Sequence, residues 1–364
     1  MLTIPMLMIA VAAAATRDGT YLSVLVAVSL LAFVGTVLAE MTAGDSGIGY
    51  LMMITGTLNM QDMHDRLMSV PGIQQSRTVL VAFAFLLVGL SMKMALFPLH
   101  MWLPRAYTYA PSAVSALLAA TATKVGVYMA FRFLFTIFGV GFSFGIMPSG
   151  LVLLACASAG IILTGITAIR QTNLKRMLAY SSVGQLGYIV LGFALANVHG
   201  VAGSVAHIFN HAVMKGGMFM ALGAIVYRMD RCDIRSVRGL GKQMPLTMAA
   251  FTVGGLGLVG FPLTAGFISK WYLVQGCLER PHMWPLAGVI LIGSLLAVVY
   301  TWRVVEAAYF QQPDPGTPRV EEAPLLMLIP MWALIGASVF FGVNATFTSD
   351  IALTAARSLL GGSP

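Results

Sequence analysis

Long stretches without any ionisable residue constrain the fold of this 364-residue chain more than any other feature. A helix needs about 20 apolar residues to cross the hydrocarbon core of a bilayer. Together with the shorter or interrupted apolar segments 4–16, 46–58 and 200–227, these stretches predict an all-α integral membrane protein, a polytopic bundle of about ten transmembrane helices. The stretches free of Lys, Arg, Asp, Glu and His are 19–39, 78–92, 106–123, 133–169, 177–198, 243–269, 283–302 and 323–349.

Composition excludes a soluble protein. Hydrophobic residues make up 58% of the chain and charged residues only 9%, which leaves too few charges to cover a water-exposed surface. The net charge of +8 is explained by basic loops on the cytoplasmic side of a membrane, so it does not indicate nucleic acid as a partner. We therefore expect a multi-pass protein of the cell's inner (plasma) membrane, surrounded by lipid bilayer.

Two groups of basic residues predict the orientation of one helix pair. Arg170, Lys175 and Arg176 precede one predicted helix, and five basic residues follow the next. Because an out-and-back pair of helices returns to the side from which it started, both groups are predicted to lie on the cytoplasmic side. The second group consists of Arg228, Arg231, Arg235, Arg238 and Lys242.

Two predicted membrane helices carry a proline in the middle. Pro98 lies in SMKMALFPLHMWLP, and Pro262 lies in GLVGFPLTAGFISKWYL. Proline removes a backbone donor and clashes with the preceding turn, so each segment is predicted to break into two half-helices with free backbone groups at the break. The alternative is that a membrane helix tolerates each proline as a simple kink.

Six ionisable residues lie within otherwise apolar segments. A charge at the bilayer centre costs about 2.5–3.5 kcal/mol on insertion scales, so several such groups indicate a hydrated interior. We interpret them as a proton or ion pathway; for Lys270, snorkelling toward the outer interface is the alternative. The six residues are Lys93, Lys124, His207, His211, Lys215 and Lys270.

The spacing of three of these residues favours a proton relay. His207, His211 and Lys215 are four residues apart and therefore share one face of a helix. Imidazole titrates near neutral pH, so such a row changes its protonation state at modest cost. The alternative is that the histidines form hydrogen bonds between helices. A zinc site is disfavoured, because no third ligand lies nearby in the sequence.

No motif for a redox cofactor, nucleotide or metal is present. The three cysteines, Cys156, Cys232 and Cys277, are far apart and form no pattern typical of an iron–sulfur or zinc site. We expect no cofactor and no metal in this chain, so any redox chemistry belongs to partner subunits.

The ionisable and proline residues lie in four long motifs, KMALFPLHMWLPRAYTYAPSAVSALLAATATKVGVYMAFRF (93–133), LKRMLAYSSVGQLGYIVLG (174–192), HIFNHAVMKGGMFMALG (207–223) and GFPLTAGFISKWYL (260–273). These motifs resemble the antiporter-like membrane subunits shared by NADH:quinone oxidoreductase, Mrp sodium/proton antiporters and membrane-bound hydrogenases. The first motif is most similar to the Mrp D-type subunit.

The resemblance implies two inverted five-helix repeats, each with one broken helix. Residues 1–135 would form an incomplete first repeat, 148–306 the second repeat and 323–343 a final helix. Lys93 matches the lysine of the first broken helix, and Lys270 matches that of the second. Lys124 matches the lysine of the helix that follows the first broken helix. His207, His211 and Lys215 match the central residues that connect the two half-channels.

The chain departs from the family at its start. The family pairs its first lysine with a glutamate that falls near residues LTIPML in this numbering, and that segment has no carboxylate. The chain therefore resembles a shortened member that begins near the usual fifth helix. Asp18, Glu40 and Asp45 are the candidate substitutes for the missing glutamate.

Two functions remain open at this point. The first is a membrane subunit of a multisubunit monovalent cation (Na⁺)/proton antiporter, or of a proton-pumping NADH:quinone oxidoreductase-type complex, that conducts protons through the buried Lys and His residues. The second is a non-transporting structural remnant or assembly subunit of such a complex. Both predict homologous membrane subunits as partners, and the first predicts H⁺, with Na⁺ as a further candidate, as the transported ion.

Overall fold

The computed structural model describes residues 42–315 and 319–361. The apolar segments 4–16 and 19–39, and with them Asp18 and Glu40, lie outside the described residues. Asp45 is described and is exposed, on a helix formed by residues 42–55 (α1).

The first part of the described chain contains a broken helix followed by a long continuous one. The elements after α1 are α2 (Met60–Ser69), α3 (Arg77–Lys93), α4 (Trp102–Tyr109) and α5 (Ser112–Phe131), which continues as a π-helical turn over Arg132–Ile137.

The second part is helical as well and contains a second broken helix. Its elements are α6 (Ser149–Ile169), α7 (Leu174–Ala194), α8 (Val198–Met229), α9 (Pro245–Val259), α10 (Ala265–Glu279), α11 (Trp284–Phe310), α12 (Leu325–Val343) and α13 (Thr346–Leu359).

Six of the described helices are long and apolar enough to cross a membrane. They are α5 with its π-helical turn, α6, α7, α8, α11 and α12. The half-helices α3, α9 and α10 are shorter, at 15–17 residues. The prediction of an all-α polytopic membrane protein with two broken helices is confirmed.

Polar residues at the helix ends explain where the two central helices begin. The Asn173 side chain accepts a hydrogen bond from the backbone N–H of Arg176 at the start of α7, and Asn197 does the same for Gly200 at the start of α8. Asparagine is a preferred N-cap because its side-chain oxygen satisfies an amide that has no partner within the helix. Helix α8 ends at Asp230, which adopts a left-handed conformation.

Helix α8 is the centre of the described bundle. It packs against α5, α7, α9, α10, α12 and α13. Its neighbour α7 is almost completely enclosed, since all of its residues from Leu174 to Ala194 except Arg176 are buried. Polar side chains on the facing sides of α7 and α8 are therefore shielded from lipid by a ring of other helices.

Two predicted stretches differ from the observed helices. The apolar stretch 133–169 is divided, because α6 begins only at Ser149, after Pro148, which has no backbone N–H with which to continue a preceding helix. The stretch 323–349 contains only the membrane-length helix α12, and Asn344 separates it from α13. Helix α13 extends to Leu359 and packs against α8, an element that the sequence pattern did not predict.

The two basic groups lie at the same end of the bundle, as predicted. The backbone N–H of Leu174 donates to Cys232 O at 2.9 Å, and that of Ile234 donates to Thr172 O at 2.9 Å. These bonds join the loop before α7 to the loop after α8. We call this end of the molecule the basic end.

Candidate functional site: a buried lysine and histidine cluster

The second break places free backbone carbonyls inside the bundle. Helix α9 ends where Gly260 turns into the left-handed region with φ 83°, and α10 begins at Ala265, so Pro262 lies between the two half-helices. The half-helices meet closely, because a Cβ atom on Gly266 would lie 2.0 Å from the carbonyl oxygen of Gly257. Only glycine fits at position 266.

Lys270 satisfies the carbonyls that this break leaves free. Its Nζ donates to Leu258 O at 2.8 Å, to Val259 O at 3.1 Å and to Ser294 Oγ on α11 at 2.9 Å. Only 6% of Lys270 is exposed. The side chain therefore turns into the protein and does not snorkel toward an interface.

Aromatic rings connect Lys270 with the histidines of α8. The Nζ of Lys270 lies 4.6 Å from the centre of the Tyr188 ring. The Tyr188 ring is 5.8 Å from the His207 ring, and the His207 ring is 6.0 Å from that of His211, with the two imidazoles nearly parallel. A continuous row of polarisable and titratable groups thus runs from α10 through α7 to α8.

Hydrogen bonds fix the orientation of His207. Its Nδ1 lies 2.8 Å from Ser269 Oγ, and its Nε2 lies 2.9 Å from Gln185 Oε1. An amide oxygen only accepts, so in the neutral imidazole the proton is on Nε2, and Nδ1 accepts from the serine hydroxyl. His207 is thereby held between α7 and α10 in one tautomer.

His211 differs from His207 in its hydrogen bonding. Both of its ring nitrogens are buried without a hydrogen bond among the described residues. Buried polar groups in proteins are nearly always hydrogen-bonded, to the protein or to ordered water. The His211 ring thus offers one donor and one acceptor in the interior of the bundle.

Lys215 joins the row to a polar stripe on α7. Its Nζ donates to Leu178 O at 2.8 Å and to the hydroxyl of Ser181. Ser181 and Gln185 are four residues apart, so they lie on one face of α7. With Tyr188 and Tyr300 they line a small cavity in which about 10 Å³ is open to the centre of a water molecule, enough for about one water.

Lys124 approaches the row from α5. It is buried on α5, and its Nζ donates to the carbonyl oxygen of Ala119. Helices α5 and α8 run antiparallel, and Ala120 packs beside Gly216. One turn further along α5, Lys124 is therefore level with His211.

Lys93 lies outside this group. It is the last residue of α3, it is half-buried, and its backbone packs against Gly126 of α5, two residues from Lys124. The structure thus brings together five of the six predicted residues, each with at most 8% of its surface exposed, and places the sixth at the edge of α5. We call the five, Lys124, His207, His211, Lys215 and Lys270, the buried cluster.

The first break is arranged differently from the second. Residues 94–101, including Pro98, separate α3 from α4. The indole Nε1 of Trp102 donates to Met92 O at 2.9 Å and thereby satisfies a carbonyl near the end of α3. His100 is buried, with its ring stacked on that of Phe97 at 5.3 Å.

Sequence reasoning did not single out Ser269, Ser294 or Tyr300, which surround the buried cluster. Ser269 directly precedes Lys270, and this position in the sequence could have identified it as a candidate neighbour of the site. Ser294 and Tyr300 lie in the uncharged stretch 283–302, where nothing in the sequence distinguishes them from helix-packing residues. Within the described ranges, no three His, Cys, Asp or Glu side chains gather as metal ligands.

Comparison with known families agrees with this arrangement. A profile of the family described as "NADH:quinone oxidoreductase/Mrp antiporter, TM" matches residues 27–297. The chain belongs to this family. The match spans both broken helices and every residue of the buried cluster.

Curated relatives include subunits of respiratory and of antiporter complexes. The chain is 42% identical over 319 residues to NADH-quinone oxidoreductase subunit N of Desulforudis audaxviator, an alignment that covers 84% of this chain and 62% of the relative. It is 28% identical over 314 residues to the D-type subunit of the Na(+)/H(+) antiporter of Alkalihalophilus pseudofirmus, covering 86% and 62%. The chain thus spans about three fifths of the length of these relatives.

The fold is also found in a solved antiporter complex. A chain of the Mrp complex from Dietzia sp. DQ12-45-1b superposes with a TM-score of 0.83 at 23% identity, covering 93% of this chain and 69% of that chain. At this identity the likeness concerns the fold. It shows a polytopic membrane helix bundle.

Proposed function

We propose that this chain is a proton-conducting membrane subunit of a multisubunit respiratory complex of the NADH:quinone oxidoreductase type. The observation that carries the proposal is the continuous contact from Lys270 through Tyr188 to His207 and His211, inside a bundle that shields it from lipid. The 42% identity to a subunit of an NADH-quinone oxidoreductase supports the respiratory type of complex. The complex would lie in the cell's inner (plasma) membrane, with homologous membrane subunits as partners.

In this proposal a proton moves by sequential protonation of neighbouring groups. Lys124 and His211 are at the same level of α8, His207 follows one turn away, and Tyr188 with Gln185 leads to Lys270. Lys215 extends the row toward the basic end through Ser181. Because like charges repel in a poorly solvated interior, a proton that arrives at one group favours release from the next.

Exchange of Na⁺ for H⁺ is the second candidate. The observation that favours it is the 28% identity to a D-type antiporter subunit, over 86% of this chain. In that case the same buried cluster would carry the proton, and a cation entering the first half-channel near Lys93 would lower the proton affinity of the neighbouring lysine.

Proton and sodium flux in inverted vesicles tests the proposal. The chain is expressed with its genomic neighbours in an antiporter-deficient host, and wild type is compared with Lys215→Ala and His207→Ala. Lys242→Ala is the matched control, since Lys242 is exposed at the basic end. We expect flux to fall by about tenfold or more in both cluster variants, because each interrupts the row, and to be unchanged in the control.

The result also separates the alternatives. Proton flux without sodium dependence supports the respiratory type, and sodium-dependent flux supports the exchanger. If a correctly assembled wild-type complex shows no flux of either ion, the chain is a non-transporting subunit and the proposal is wrong.

A further inference from the structure

The N-terminus of the half-helix α9 is held by a residue from a distant part of the chain. The first residue of α9, Pro245, has no N–H, and the residue before it, Met244, provides no side-chain cap. The next two amides, of Leu246 and Thr247, would therefore have no local partner. Glu322 supplies one from the linker between α11 and α12.

The Glu322 carboxylate uses both of its oxygens at this helix end. Its Oε2 accepts from Leu246 N at 2.7 Å and from Thr247 N at 3.4 Å, and its Oε1 accepts from Thr247 Oγ1 at 2.6 Å. The negative charge also lies where the helix dipole is positive, which strengthens the contact. Glu322 thus acts as the N-cap of a helix that begins 77 residues earlier in the chain.

The backbone of Glu322 is tied to the central helix. The guanidinium of Arg228, near the end of α8, donates twice to Glu322 O, with the Nε contact at 3.1 Å. Nearby, the linker is fastened again, because Val320 N donates to Gln243 Oε1 at 2.9 Å. One residue therefore connects α8, which carries the histidine row, with α9, which carries the carbonyls of the second break.

These connections matter because the two ends of α9 contact Glu322 and Lys270, respectively. Its first turn is held by Glu322, and its last turn offers Leu258 O and Val259 O to Lys270. A helix of 15 residues is about 20 Å long, and its hydrogen-bonded turns connect the capped end with these carbonyls. A shift of α9 at the basic end therefore changes the distance between Lys270 and its acceptors.

We infer that Glu322 is a positioning residue for Lys270, acting through α9 from the opposite end of the half-helix. The inference rests on the proposed function, in that Lys270 carries protons. It goes beyond that function because it assigns a role in conduction to a residue about 20 Å outside the buried cluster.

The test compares two neighbouring glutamates in the assembled complex. Glu322→Ala removes the cap, and Glu321→Ala removes the same charge from an exposed position in the same linker. We expect proton flux to fall by about tenfold or more in the first variant, since misplacing a reacting group by about 1 Å costs up to about a hundredfold in rate, and to change by less than about twofold in the second. Glu322→Gln keeps one accepting oxygen and should recover part of the flux.

Two further measurements show whether the effect passes through α9. Hydrogen exchange at the amides of Leu246 and Thr247 should accelerate in Glu322→Ala and not in Glu321→Ala. Thr247→Val should lower flux on its own and add little in the Glu322→Ala background, because both changes remove the same contact.

The outcomes distinguish this inference from the proposed function. Normal flux in an assembled Glu322→Ala complex with fast exchange at Leu246 and Thr247 overturns the positioning role while leaving proton conduction intact. Equal losses in both glutamate variants also overturn it, since charge alone would then explain the effect. Absence of wild-type flux refutes the proposed function itself.

Discussion

The two broken helices carry the same residue types and use them differently. At the second break, Lys270 lies on the outgoing half-helix and donates to two carbonyls of the incoming one. At the first break, Lys93 ends the incoming half-helix, and the indole of Trp102 on the outgoing one donates to Met92 O, which also accepts from the backbone N–H of Ala95. A lysine next to a proline break thus does not by itself specify which group satisfies the break.

The difference has a consequence for what each lysine stabilises. Lys270 is buried and donates hydrogen bonds to Leu258 O and Val259 O at its break. The charged side chain therefore stabilises the backbone of the break, and these carbonyls stabilise the charge. Lys93 is half-buried beside α5, and at its break Met92 O accepts from the indole of Trp102 and from the backbone N–H of Ala95. We therefore expect the second break to be more sensitive to substitution than the first.

We expect Gly266→Ala to cause the largest loss of stability. The added Cβ would lie 2.0 Å from Gly257 O, and neither half-helix backbone moves without losing the contacts of Lys270. At the first break, Gly126→Ala places a Cβ 2.9 Å from Met94 N, a milder overlap. Thermal unfolding in detergent should show a loss of about 3 kcal/mol for Gly266→Ala and about 1 kcal/mol for Gly126→Ala.

A glycine in open space provides the control for this pair. A Cβ atom added at Gly288 on α11 would have no neighbouring atom within 4 Å, so Gly288→Ala should leave the midpoint unchanged or raise it slightly. Equal midpoints for the Gly266 and Gly126 variants would contradict the claim that the second break is the tighter one.

The next largest loss of stability is expected for Lys270→Met, which we compare with Lys93→Met. Without Lys270, Leu258 O, Val259 O and Ser294 Oγ lose their shared donor, which should cost about 1–3 kcal/mol of unfolding free energy. Replacing the half-buried Lys93 should cost less than about 1 kcal/mol, although flux is expected to fall in both variants. Unfolding curves measured beside vesicle flux separate the two effects, and equal destabilisation would contradict the comparison.

Trp102→Phe tests the donor at the first break. The variant keeps the aromatic ring and removes the hydrogen bond to Met92 O, so about 1 kcal/mol of stability should be lost. Trp271→Phe is the control, because Trp271 is 54% exposed on α10. Identical unfolding midpoints for both tryptophan variants would show that the indole is not needed at the break.

Ser294→Ala should have the smallest effect. Lys270 keeps its two carbonyl acceptors, so the change should cost about 0.5 kcal/mol and leave flux within about twofold of wild type. Proton flux of the Ser294→Ala variant in vesicles tests this prediction. Complete loss of flux would mean that the hydroxyl, and not the carbonyls of the break, controls Lys270.

Sequence periodicity and charge were sufficient for most of the fold. Uncharged stretches located α6, α7, α11 and α12 because lipid requires such stretches. Pro98 and Pro262 indicated the two breaks because proline removes a backbone donor and clashes with the preceding turn, although Pro330 lies inside α12 without breaking it. Charge did not reveal the division of the stretch 133–169, since its turn is as apolar as the helices around it. The resemblance did imply a connection there, because it ends the first repeat at residue 135 and begins the second at residue 148. Helix α13 was missed because it is amphipathic and too short to span a bilayer.

The candidate site was predictable in its members and not in its contacts. Charged residues in apolar segments are conspicuous, so Lys124, Lys215 and Lys270 were found from the sequence alone. Their partners are mostly backbone carbonyls, of Ala119, Leu178 and Leu258, and every residue type offers a carbonyl. The cap at Glu322 was equally hidden, because it depends on how close the linker comes to α9.

The enclosure of α7 has a consequence for how the protein is made. The helix carries Ser181, Ser182 and Gln185 near its middle and is less apolar than α6 before it, so the translocon would insert it poorly on its own. Only the short turn 170–173 separates α7 from α6. The nascent chain therefore has to deliver the two as a hairpin, with the earlier helix holding the polar one in the bilayer until α8 and the rest have been synthesised around it.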